Sequence, residues 1–212
     1  MTTPRGKFIV LDGIDGAGKG YQAKRLVDYL FEKDKANHVL LTREPFRSKE
    51  IRRLLKENDS PYQDAEKLAE LFAADRREHL ILIENVLAQG VHVVCDRYKY
   101  STLAYQQTQG VSFDRLVAMH LGMAVPDLVL ILDLPASVAC ARVIKDRGRA
   151  HKEVFEEEQF QSKLRQKYLD LKGQLRKELI VVINGDQPYA EVFQSITEEA
   201  DKLFSPDLVS KK

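Results

Sequence analysis

Residues 13–20 read GIDGAGKG and follow the apolar run FIVLD. Gly13 and Gly18 stand at the ends of a GxxxxGK spacing, after a strand-like segment and before a helix-like one, which is the setting a phosphate-binding loop needs. Glycine lets the backbone wrap closely around an oxyanion with successive N–H groups pointing inward, and the helix start adds free donors. Residues Gly13, Ile14, Asp15, Gly16, Ala17 and Gly18 would form this cradle, with Lys19 reaching the outer phosphates and Gly20 and Tyr21 opening the helix. The plain alternative is a glycine-rich turn with a surface lysine. Gly20 departs from the pattern, because many such loops place a hydroxyl there for Mg²⁺. The metal must then be held by substrate phosphates, water and carboxylates. Asp15 and Asp96 are the candidates, whereas the Tyr21 phenol is a poor substitute for a short hydroxyl.

A second set of residues fits an acceptor that itself carries phosphate. Asp96, Arg97 and Tyr98 form a DRY triplet at the end of a strand-like run, and Arg43 ends another such run, with Arg47 close behind. Ligands of open α/β sheets collect at these strand ends, and guanidinium forks match phosphate oxygens. The Asp96–Arg97 pair also fits a structural salt bridge. Phe72 and Arg76 lie one helical turn apart, as a ring to stack on a base and a planar donor for its edge; equally, Phe72 fits a core position and Arg76 a solvated one. Tyr100, Ser101, Tyr105 and Gln106 supply polar groups beside Arg97. Further on, KDRGRAHK offers Arg147 and Arg149 around Gly148, with Arg142 just before, between two helical patterns. It reads as a mobile flap that would exclude water and deliver positive charge, or else as a solvated charge run.

Positioning these groups requires alternating strands and helices. Apolar runs without clean alternation mark strands at 7–12, 38–42, 91–95, 126–135 and 179–184. Helical spacing fills the intervals: 21–33, 48–58 with Ser48 as cap, a long stretch from Leu68 to Gly90, 101–108, 113–121, about 156–177, and 188–204 opened by proline. Five strands of this kind predict a three-layer α/β fold with a mostly parallel sheet, in one domain spanning 1–212. Lys and Arg number 33 against 32 acids, so the net charge of +1 supplies no bulk attraction for nucleic acid. No apolar stretch approaches membrane-spanning length, the start is too polar for a signal peptide, and Cys95 and Cys140 read as reduced thiols. Cytoplasmic residence is the expectation.

Together the segments FIVLDGIDGAGKGYQAKRL, TREP, LFAADRREH, DRYKYSTLAYQ, PDLVLILDLP and RVIKDRGR resemble the thymidylate kinases, in the family's order over most of residues 7–150. The last third matches only in general pattern. The resemblance implies a five-stranded parallel sheet in the order 2-3-1-4-5, a lid near 142–153, a homodimer, and transfer of the γ-phosphoryl of ATP to thymidine 5′-monophosphate with Mg²⁺. By the same resemblance Phe72 would stack on thymine, Arg76 would bond its edge, and Arg47 and Arg97 would grip the acceptor phosphate. Tyr105 would lie under the sugar, Asp15 would organise sugar and metal, and Ser101 and Thr102 would sit near the base. Members differ in where the catalytic arginine sits; Gly16 in the loop with Arg147 and Arg149 in the lid resembles the lid arrangement. The GKG sequence is instead similar to adenylate kinases, although their DGFPR-like signature is absent. Two other readings stay in view: a kinase for another monophosphate such as dUMP or AMP, and a nucleotide-binding regulatory protein without small-molecule kinase activity.

Overall fold

A computed structural model describes residues 4–147 and 158–204. Strand β1 (Phe8–Gly13) is buried at every residue, as expected for an apolar run covered on both faces. It lies at the centre of five parallel strands with β2 (Val39–Arg43), β3 (His92–Asp96), β4 (Leu128–Asp133) and β5 (Ile180–Asn184). The spatial order is β2-β3-β1-β4-β5, as the resemblance implies. Register places Leu11 opposite Asp96, Arg43 opposite Asp96, and Gly13 opposite Leu132. The loop after β1, the DRY triplet after β3 and the TREP segment after β2 therefore open on one rim of the sheet.

Eight helices cover the sheet among the described residues: α1 (Lys19–Lys33), α2 (Lys49–Glu57), α3 (Ala65–Ala88), α4 (Lys99–Thr108), α5 (Phe113–Met119), α6 (Ala136–Arg147), α7 (Glu158–Gln174) and α8 (Tyr189–Lys202). Ser48 caps α2, its Oγ accepting from the Ile51 N–H at 3.2 Å. Leu26 and Leu30 of α1, Leu68 and Ile83 of α3, and Leu164 and Leu171 of α7 are buried in the common core with the strands. Each such side chain contributes roughly 1.5–3 kcal/mol on leaving water.

Two differences from the sequence-based expectation bear on the site. Helix α4 begins at Lys99, two residues early, because Asp12 of β1 accepts the N–H groups of Tyr98 (3.1 Å) and Ser101 (3.0 Å). A buried carboxylate from another element thus satisfies the first turn. Arg142, expected between two helices, lies within α6, which runs on to Arg147. The rest of the expected lid, including Arg149, lies outside the described residues, as does the tail from 205.

Candidate active site

The phosphate loop is built by three glycines with positive φ: Gly13 at 140°, Gly16 at 81° and Gly18 at 85°. Gly16 is also sterically required, since a Cβ there would sit 2.2 Å from the Ala139 carbonyl oxygen of α6. The lysine turns inward. Lys19 is 6% exposed, and its Nζ donates to the Ile14 carbonyl at 2.8 Å. Burial, followed by the charge of Arg97, lowers its pKa from 10.5 to about 8. At Gly20 the missing side chain has a counterpart: a Cβ there would lie 3.1 Å from Asp96 Oδ2. The carboxylate thus fills the space beside the helix start, and its Oδ1 is buried without a hydrogen-bond partner. Tyr21 is half exposed and packs on Tyr189, with ring centroids 5.1 Å apart.

Arg97 is the node of the acceptor side. It holds a left-handed backbone at φ 71°, a conformation that persists only where surroundings over-determine it. Its Nη2 pairs with Asp15, its Nη1 donates to Ser101 Oγ at 3.0 Å, and Tyr168 of α7 lies at 3.5 Å. Tyr105 donates its phenol proton to Asp15 at 2.7 Å. Beneath them Asp12 accepts from Ser101 Oγ at 2.7 Å and from the Tyr168 hydroxyl at 2.8 Å. These contacts fix the guanidinium in the wall of a cleft of about 300 Å³.

Phe72, Arg76, Thr102 and Gln106 line the same cleft. Arg76 is not solvated, as one reading of its spacing allowed; it is 1% exposed. Its Nε donates to Glu44 Oε2 at 2.7 Å, Nη2 lies 2.6 Å from the same oxygen and 3.1 Å from Thr102 Oγ1, and Nη1 lies 2.6 Å from His120 Nε2. Phe72 is half-buried on the wall. Gln106 donates to Gln109 Oε1 at 2.8 Å, while its own Oε1 is buried without a hydrogen-bond partner.

Not every expected residue joins this cleft. Arg43 and Arg47 are exposed and line no part of it; Arg47 lies over the Phe46 ring instead, at 4.7 Å. Asp75 accepts the N–H groups of Phe46, Arg47 and Ser48 at 2.5, 2.9 and 2.7 Å, which fixes the turn that carries Arg47. Of the three arginines expected to converge, Arg97 alone lines the cleft, and Arg52 of α2 does so unforeseen. The backbone of Arg147 ends α6, and its side chain lies outside the description. Asp12, Glu44, Arg52, Asp75, His120 and Tyr168 were not singled out by sequence reasoning. Asp12, Glu44 and Asp75 carried a signal only in that they stand inside the quoted segments FIVLDGIDGAGKGYQAKRL, TREP and LFAADRREH. Among the described residues no cluster of three or more His, Cys, Asp or Glu is arranged to hold a metal.

A parallel five-stranded sheet, a phosphate loop between β1 and α1, and an acid–arginine cleft on the same rim define a P-loop nucleotide-binding α/β protein. Sequence comparison narrows the class. The description of the thymidylate kinase family matches residues 11–196, so the chain belongs to that family. A probable thymidylate kinase of Pyrococcus horikoshii is 45% identical over 174 residues, covering 79% of this chain and 83% of that protein. A thymidylate kinase of Dinoroseobacter shibae is 41% identical, covering 91% and 94%, and a probable one of Methanococcus maripaludis is 37% identical, covering 96% and 98%. The match thus runs through α7 and β5, beyond the motifs at 7–150.

Proposed function

We propose that this chain transfers the γ-phosphoryl group of ATP to thymidine 5′-monophosphate, giving ADP and the diphosphate. One observation carries the reading: the cleft is lined both by a partly buried cation, Arg97, and by a paired donor and acceptor, Arg76 and Gln106. Arg76 keeps an Nη1 hydrogen beyond the one given to His120, and Gln106 keeps a buried carbonyl oxygen without a hydrogen-bond partner. That pair complements the O4 and N3–H of thymine and opposes the amino group and bare N3 of cytosine. Phe72 then stacks on the ring, and Tyr105, held by Asp15, lies under the sugar.

The chemistry needs no dedicated base. A phosphate monoester has its second pKa near 6, so the acceptor oxygen is largely ionised at neutral pH. It attacks the γ-phosphorus in line while the bond to the bridging oxygen breaks and ADP departs. The obstacle is charge, and Lys19 and Arg97 meet it as preorganised cations. Gly16 leaves no room for a side chain, so any further cation over the transferred group must come from elsewhere. Arg147 and Arg149 of the lid are the proposed source. Mg²⁺, when bound, neutralises charge on the β- and γ-phosphates. The residues fit such an ion: Asp96 keeps a buried oxygen without a hydrogen-bond partner beside Gly20, and would hold it through water. Asp15, engaged by Arg97 and Tyr105, orients those two groups.

Homodimerisation is supported by an apolar surface. Ile81 of α3 and Leu121 after α5 are each 73% exposed, and Arg77 bonds the Met119 carbonyl at 2.8 Å, which ties these elements together. Reduced Cys95 and Cys140 fit residence in the cytoplasm. No helix of the described residues is long and apolar enough to cross a membrane. The deciding experiment mixes the chain with ATP, Mg²⁺ and each nucleoside monophosphate and follows ADP. Strong acceleration by thymidylate is expected. Slow hydrolysis indifferent to the acceptor would replace the kinase reading with a nucleotide switch.

A further inference from the structure

We propose that His120 is a specificity-determining positioning residue, which acts through Arg76 to set how the cleft reads the acceptor base. The inference rests on the placement of the base edge against Arg76 and Gln106.

A guanidinium carries five N–H groups. In Arg76 the Nε proton goes to Glu44, Nη2 is shared between Glu44 and Thr102, and one Nη1 proton goes to His120. One N–H on Nη1 is left for a ligand. The guanidinium is a rigid plane, so that last donor is aimed by the contacts that together hold the plane; Glu44 and Thr102 hold its Nε–Nη2 edge, and among the described residues only His120 holds Nη1. The imidazole is suited to this because its two nitrogens have opposite roles. Nδ1 lies 2.6 Å from the Leu116 carbonyl, which has no proton to give, so Nδ1 carries the hydrogen and Nε2 accepts. Burial, with the nearby Arg76 charge, pushes the His120 pKa down to about 3. The ring therefore stays neutral at working pH and remains an acceptor. His120 is buried at the end of α5 and does not itself line the cleft. Its influence reaches the base only through the guanidinium.

Two polar variants separate this role from simple packing. In His120→Asn the shorter amide keeps a donor near the Leu116 carbonyl but falls short of Arg76. In His120→Gln the amide oxygen replaces Nε2. The assay takes kcat and KM for thymidylate and for dCMP, KM for ATP, and the melting temperature. For His120→Asn the expected result is a thymidylate KM raised about tenfold. The preference for thymidylate over dCMP should fall by a similar factor, with kcat and the ATP KM held within about twofold. His120→Gln should return thymidylate KM and preference to within about threefold of the parent. Should the Asn variant fail to fold, His120→Leu is read in the same way. Unchanged discrimination in the Asn variant, or equal loss in both variants, would overturn the inference. A parent chain that does not phosphorylate thymidylate would instead overturn the functional reading beneath it.

Discussion

Raising the pH should stabilise the ligand-free chain through Lys19, and Lys19→Met should remove that gain. The drop in its pKa from 10.5 to about 8 corresponds to roughly 3 kcal/mol at 1.36 kcal/mol per unit, the cost of keeping a buried ammonium charged. The sign follows from proton counts. Between pH 8 and 10.5 the unfolded chain holds a proton on this lysine that the folded chain has released, so unfolding becomes harder as pH rises. Urea titrations of both chains at intervals from pH 7 to 10.5 isolate the effect, because other groups titrate in both. The Met chain should be the more stable by roughly 3 kcal/mol at pH 7, and that lead should vanish by pH 10.5. ATP binding to the parent should take up a proton above pH 8, visible by calorimetry in buffers of different ionisation enthalpy. In turnover the same substitution should cost at least about 10²-fold, as expected for a lost preorganised donor. Stability curves that stay parallel across this range would refute the claim that burial lowers the Lys19 pKa.

Three further substitutions test separate parts of the site. Arg97→Ala should lower kcat/KM for the acceptor by roughly 10²–10³-fold with a smaller effect on ATP affinity, since Arg97 lines the cleft and touches the loop through Asp15 at its edge; a selective loss of ATP binding contradicts this. Gly20→Ser should reduce the Mg²⁺ concentration needed for half-maximal rate once Asp96 shifts a few tenths of an ångström, its Oδ2 lying 3.1 Å from the new Cβ. An unchanged metal titration would mean the missing hydroxyl has no consequence. Gly16→Ala places a Cβ 2.2 Å from a backbone oxygen at φ 81° and should cost at least about 2 kcal/mol, a melting temperature lower by about 4 °C or more. An unaltered melting curve would show that α6 yields freely.

The phosphate loop, the five strands and the Phe72–Arg76 pair were legible in the sequence because each rests on local spacing. GxxxxGK dictates backbone shape within eight residues, apolar runs dictate burial, and a separation of four dictates a shared helical face. No such local rule exists for the partners of those groups. Asp12 caps α4 from 86 or more residues away, Tyr168 reaches Arg97 across 71, and His120 meets Arg76 across 44. Such contacts depend on which strand ends share a rim and which helices lie over it, and that is settled by packing. The same holds for Arg43 and Arg47. Their positions along the chain suit a phosphate clamp, but direction is a property of the turn that Asp75 holds, and that turn leaves them outside while Arg52 enters. The chain by itself therefore determined which chemistry was available, through residue types fixed to short-range geometry. Only the folded arrangement decided which charges are buried, paired and aimed, because desolvation and hydrogen-bond satisfaction are set by neighbours distant in sequence.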